Sequence, residues 1–345
     1  MSLKFLKYGL VLILPISAWL SFSSMGWITF LPFVLVFVFF PLLELIIGAE
    51  NKVLSRLELE FVSNDRMYDY LLYAQVPIQW FSLIFFLWSV STQDLSWIEL
   101  TGRTTSMGIL CGVIGVNVAH ELGHRTSNSE RFLAKALLAS TSFLHFYIEH
   151  NRGHHRNVGT DIDPASARKG ESLYAFWLRT VRDSFKSAWH IVALQRKRAK
   201  KKVWSLQNEM IQYLLIEFLI LTIILVLAGW MALILFLACS LTGILLLESI
   251  NYIEHYGLRR SKWSEHRYED VQPVHCWNSN HALSRLVLFE LTRHSDHHMF
   301  PQKKYQLLEN TETFPQLPTG YAGMIIVSFI PPLWRRLMDH RIEGT

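Results

Sequence analysis

Charge is scarce in this chain. Asp, Glu, Lys and Arg supply 18% of the 345 residues and apolar types 51%, whereas a water-soluble domain carries roughly 25% charged residues. Mean hydropathy is positive, +0.22. Cysteine is scarce too: Cys111, Cys239 and Cys276 are the only three, and none stands at a CxxC spacing. That excludes a disulfide framework, an iron–sulfur cluster and a zinc knuckle. Low-complexity tracts and internal repeats are also missing, so neither disorder nor a fibrous or solenoid architecture fits.

What is present is long apolar runs. A bilayer core requires stretches of about 18 or more apolar residues, and such windows cover residues 5–22, 27–48, 71–90, 106–120, 211–229 and 230–250. The expected fold class is therefore an all-α integral membrane protein with six transmembrane helices. Residues 121–210 and 251–345 would form a cap, the whole making one domain, 1–345. Lys4 and Lys7 precede the first window as they would in a signal peptide. No small-residue cleavage site follows, however, and a second long window begins at once.

A further apolar stretch, 132–148, is expected as a buried or membrane-dipping helix. If it crossed, the histidines on either side of it would face opposite sides of the bilayer, and Lys135 and His145 would make lipid exposure costly. Gly108 and Gly112 form a GxxxG pair, which predicts a close approach of two helices. Residues 321–336, with Pro331, Pro332, Trp334, Arg335 and Arg336, read as a short interfacial helix with snorkelling arginines.

Orientation follows from Lys and Arg. The loop 150–205 contains Arg196-Lys197-Arg198 and Lys200-Lys201-Lys202, which places it in the cytoplasm beside anionic lipid. No nucleic-acid recognition module accompanies the charge, so nucleic acid is not an expected partner.

Histidine is the abundant exception. Four motifs hold nine of the fifteen. The first is His120-Glu121-Leu122-Gly123-His124, whose imidazoles lie four residues apart on one helix face and can reach one metal. The second runs from Glu149 and His150 to His154 and His155, repeating the four-residue step. The third contains Glu254-His255, and the fourth is His294-Ser295-Asp296-His297-His298. Nine imidazoles at one membrane face exceed what one ion can take and suit two ions. Imidazole accommodates iron, copper or zinc, and two redox-active irons are the expected occupants, since a structural zinc needs four ligands. Glu121, Glu149, Glu254 and Asp296 adjoin these histidines and are candidates to hold imidazole N–H groups.

These residues resemble the membrane alkane 1-monooxygenases, within the histidine-box superfamily of membrane desaturases and hydroxylases. The resemblance rests on His150-Asn151-Arg152-Gly153-His154-His155 followed by Asp163-Pro164-Ala165-Ser166-Ala167-Arg168, on Asn251-Tyr252-Ile253-Glu254-His255-Tyr256-Gly257-Leu258, and on Arg293 to His298. Trp204 to Asn208 and Gln316 to Met324 are also similar. It implies two irons held by His120, His124, His150, His154, His155, His255, His294, His297 and His298. The site would lie at the cytoplasmic side of a bacterial-type inner membrane. The implied reaction inserts one oxygen atom of O2 into the terminal C–H bond of a medium-length n-alkane, with electrons from a separate rubredoxin and its reductase. Arg152, Arg156 and the lysine-rich loop would steer an acidic electron carrier.

Other readings are weighed against this one. A fatty-acyl desaturase shares histidine boxes and two irons, but the Asn-Arg-Gly-His-His and Asn-Tyr-Ile-Glu-His-Tyr-Gly patterns argue against it. A related hydroxylase acting on a fatty-acyl, terpene or alkyl-aromatic chain shares the chemistry. His120-Glu121-Leu122-Gly123-His124 is also an HExxH motif, as in intramembrane metalloproteases, but the chain has no Asp-Gly pair and that reading leaves seven clustered histidines unused. A metal transporter would place its ligands along the middle of the spans.

Overall fold

The computed structural model describes residues 3–50, 54–264, 267–311 and 313–342. Among them, five helices are long and apolar enough to cross a membrane: Lys4–Ser23, Gly26–Ile47, Met67–Thr92, Trp97–Gly123 and Glu209–His255. The chain is a mostly helical, multi-pass membrane protein. Glu209–His255 runs for 47 residues with non-helical backbone at Gly229 (φ 85°, ψ 173°), between the expected windows 211–229 and 230–250. Outside the helices, the described residues form one antiparallel hairpin, in which Lys262–Ser264 pairs with Arg267–Tyr268.

The chain divides into two compact units. The first comprises Met1–Leu35, Asp69–Glu149 and Phe185–Leu247. Its central helix, Trp97–Gly123, opens on a reciprocal cap, Ser96 Oγ accepting from the Glu99 amide at 3.4 Å and the Glu99 carboxylate from the Ser96 amide at 2.8 Å. Its apolar body is almost wholly buried. The GxxxG pair does bring two helices together: a Cβ at Gly108 would lie 2.6 Å from Thr242 Cβ, and one at Gly243 would lie 2.6 Å from Cys111 Cβ. Only small residues permit such a crossing.

The stretch 132–148 is not one helix, contrary to expectation. Helix Asn128–Ala139 stops, and Ser142 takes a left-handed conformation (φ 49°). The cause is local. Ser140 and Thr141 turn their hydroxyls back onto the carbonyls of Leu137 (2.6 Å) and Leu138 (2.8 Å), giving the backbone an alternative to continued helix. His145 beyond the break is half-buried between Phe143 and Phe185, with ring centroids at 4.8 and 5.1 Å.

The second unit comprises Val36–Tyr68, His150–Ser184 and Glu248–Thr345. Here, too, one expected helix becomes two, Tyr321–Ser328 and Pro331–Ile342, because Pro331 cannot continue the preceding turn. Trp334 is not interfacial. It is fully buried, 5.1 Å from the Tyr252 ring and 5.3 Å from that of Tyr256.

Candidate metal centre

In the second unit the backbone of His150–His154 winds as a π-helix, passing directly into the α-turn His155–Asn157. A π turn advances by more than four residues, so the partner of His150 is five residues on. His155 Nε2 lies 3.0 Å from His150 Nε2, and His297 Nε2 lies 3.2 Å from His155 Nε2. The candidate ligand atoms of His150, His155 and His297 all fall within 4.8 Å of one another.

His154 belongs to a different group. Its candidate ligand atom and those of His255, His294 and His298 also lie within 4.8 Å of one another, and all four residues are buried. Inside this group His294 Nε2 is 3.1 Å from His255 Nε2 and 2.9 Å from His298 Nε2. The four-residue step His150 to His154 therefore does not share one group, as the α-helical period predicts. In the fourth motif His294 and His298 face one group and His297 the other.

The donor set fits a cation. A neutral imidazole has one N–H and one lone pair, and an inner group of converging Nε2 atoms cannot satisfy every lone pair with protons. His154 shows the polarity most clearly. Its Nδ1 meets Asp163 Oδ2 at 2.9 Å, while its Nε2 is buried without a hydrogen-bond partner among the described residues. A carboxylate holding Nδ1–H leaves Nε2 as the ligating atom. Burial works to raise Asp163, but the charge and hydrogen bond of His154 and the Ser166 hydroxyl (2.6 Å) outweigh it and hold the carboxyl below its usual range. Burial, followed by the surrounding imidazoles, pushes His298 well below the usual histidine range, into the neutral form that a metal requires.

Glu254 lies on the same group, 3.2 Å from His294 Nδ1 through its Oε1, and that oxygen accepts from Tyr321 Oη at 2.8 Å. Burial, then the nearby Glu254 charge, pushes the Tyr321 phenol far up and keeps it a donor. Asp296 accepts from Lys303 Nζ (2.7 Å) and from the Glu309 amide (2.8 Å).

In the first unit, the Trp97–Gly123 helix has a π-helical turn at Cys111–Val116, just ahead of His120 and His124. Both histidines are buried, and their rings meet edge-on with centroids 4.9 Å apart. Glu121 accepts from Arg125 at 2.8 Å, and Arg125 also lies 3.4 Å from Asp69. Burial opposes the charge of Arg125, but Glu121 and Asp69 more than compensate and raise it. The Ser187 hydroxyl is 3.4 Å from Glu149 Oε1. His190 and His340, outside the four motifs, are exposed.

Asp163 and Tyr321 are the contacts that the reading of charge and spacing missed. Both lie in stretches that carry the family resemblance, Asp163-Pro164 and Gly320-Tyr321. Their pairing with particular histidines has no signature in spacing.

Residues 95–328 match the family model described as fatty acid desaturase. The chain is 41% identical over 330 residues to alkane 1-monooxygenase 1 of Alcanivorax borkumensis, covering 95% of this chain and 81% of that one. It is 40% identical over 334 residues to alkane 1-monooxygenase of Ectopseudomonas oleovorans (95% and 82%), and 40% identical over 329 residues to that of Pseudomonas putida (95% and 81%). Buried histidine groups able to hold metal, long apolar helices and this similarity along nearly the whole sequence lead to one assignment: the chain belongs to the alkane 1-monooxygenases of the fatty acid desaturase family, an oxidoreductase lineage.

Proposed function

We propose that this protein hydroxylates the terminal methyl group of medium-chain n-alkanes to 1-alkanols, using O2 and electrons from a separate rubredoxin and its reductase. The observation that carries the reading is the pair of histidine groups in the second unit, on a chain 41% identical to an alkane 1-monooxygenase. Its metal would be two irons, held by the nine histidines of the four motifs. We place the site on the cytoplasmic side of a bacterial inner membrane, with six crossings if Gly229 separates two spans, and treat 1–345 as one functional domain.

When bound, the irons supply O2 activation and attack on an unactivated C–H bond. The protein's own residues do the rest. Asp163 holds His154 and Glu254 faces His294, fixing which ring nitrogen points inward. Burial of all four histidines of that group keeps bulk water from the reacting atoms. An alkane offers no polar handle, so selectivity for its end must come from apolar shape. Glu121, paired with Arg125, acts as a counter-charge rather than as the general base of a peptidase.

The test is a product profile. Membranes containing the protein would be given rubredoxin, its reductase, NADH, labelled O2, a mixture of n-alkanes and a fatty-acyl ester. Labelled 1-alkanols are expected. A hydroxylated ester in their place would overturn the alkane assignment while keeping the oxygenase chemistry, and an unsaturated acyl product, into which no oxygen is inserted, would overturn both and keep only the di-iron reading.

A further inference from the structure

One buried carboxyl lies far from the histidine motifs in sequence. Glu44 sits on the apolar helix Gly26–Ile47 and is 1% exposed. Ionisable groups in such helices are costly and are kept where they face a partner. Its partners are specific: the Ser284 amide donates to Glu44 Oε1 at 2.6 Å and the Ser284 hydroxyl to Oε2 at 3.1 Å. The same hydroxyl accepts from the Tyr321 amide at 3.0 Å. Gly320 packs so closely here that a Cβ would overlap the Glu44 carboxyl. Glu44 thus fixes the first turn of helix Tyr321–Ser328 by two routes, a hydrogen-bonded serine and direct steric contact.

From that turn Tyr321 reaches inward. Its hydroxyl donates to Glu254 Oε1 at 2.8 Å, the oxygen that lies 3.2 Å from His294 Nδ1. His294 Nε2 is the atom facing His255 and His298. The phenol thus holds Glu254 Oε1 3.2 Å from His294 Nδ1, where the carboxylate's charge favours a proton on Nδ1 and leaves Nε2 to face the centre.

We infer that Tyr321 is a positioning residue for the four-histidine group and that Glu44, through Ser284 and Gly320, sets its place from the membrane helix. The inference rests on the reading of His294 as a metal ligand. It makes the geometry of His294 depend on a helix whose own sequence is nearly all apolar.

The test uses the full chain in detergent, loaded with Fe(II) and then exposed to a chromophoric chelator, and reads the rate of iron release. Tyr321→Phe is expected to release iron about tenfold faster or more, within the range typical when a group supporting a ligand is lost. Glu44→Gln should change the rate in the same direction. The control is Tyr252→Phe, which removes another phenol in the same unit, one that donates to the Glu171 carbonyl at 2.7 Å; it should release iron at the wild-type rate. Should Tyr321→Phe fail to accumulate folded, Ser284→Ala is read by the same criterion. Release at the wild-type rate from Tyr321→Phe or Glu44→Gln overturns the inference, as does equal acceleration in Tyr252→Phe. Wild-type protein that takes up no iron overturns the metal reading itself, and the inference with it.

Discussion

At the scale of single residues, convergence of ring nitrogens sets the proposed ligand histidines apart from exposed ones. His150 lies within a group of converging imidazoles, whereas His190 and His340 are exposed. Replacing His150 or His297 by alanine should abolish hydroxylation and lower bound iron, and the same change at His190 or His340 should leave both near wild type, as metal analysis of purified protein would show. Retained activity without His150 would remove it from the ligand set. Asp163→Asn should weaken iron binding by about 10- to 100-fold, because an amide can donate to His154 Nδ1 and so favour the tautomer whose Nε2 carries the proton. Iron titration of that variant checks it. His145 gives a prediction in pH. Burial lowers it from 6.5 to about 4, so the folded state binds fewer protons than the unfolded state between those values. Its contribution is complete above the unfolded value and is lost as pH falls toward the folded one, by up to about 3 kcal/mol. The thermal midpoint of the wild type should therefore fall between pH 6.5 and 4 more steeply than that of His145→Gln. Parallel slopes would show that His145 does not carry the effect.

At the scale of elements, the sequence reading succeeded where a period or a small-residue pattern sets the structure, and failed where side chains or backbone winding override it. The apolar windows predicted the long helices, and the GxxxG pair marked the crossing at Thr242. That crossing has no spare room: with a Cβ on Gly108 already 2.6 Å from Thr242 Cβ, Gly108→Val should cost about 1–3 kcal/mol by overpacking. A lower thermal midpoint in detergent, partly restored by adding Thr242→Ala, is the expected outcome; a midpoint unchanged from wild type would mean that the helices are not held at this distance. The stretch 132–148 misled because composition alone does not register hydroxyls turned back on Leu137 and Leu138. The second histidine motif misled for a different reason. Counting by 3.6 residues per turn pairs His150 with His154, but the π-helical winding pairs it with His155 and sends His154 to the other group. Nothing in the letters of the motif announces that winding.

At the scale of the whole molecule, the motifs were legible one by one, but the contacts that orient them were not. Tyr321 and Glu254 stand 67 residues apart, and Glu44 and Ser284 240 apart. No local period connects such pairs. What brings them together is the requirement that every polar group buried beside a histidine find a partner, a condition on the folded chain and not on any segment of it. The same condition predicts how the protein behaves without metal. Four buried imidazoles with their ligand atoms within 4.8 Å of one another are poorly matched by protons alone, so bound iron should stabilise the fold by mass action, about 2.7 kcal/mol when free metal stands 100-fold above its dissociation constant. Stripping the protein with a chelator should lower its thermal midpoint, and restoring Fe(II) should raise it again. His298→Ala, which removes one of the four converging rings, should show a smaller difference between the two states. A midpoint indifferent to chelator in protein that contained iron beforehand would mean that the metal sits elsewhere, and that these histidines satisfy one another by hydrogen bonds alone.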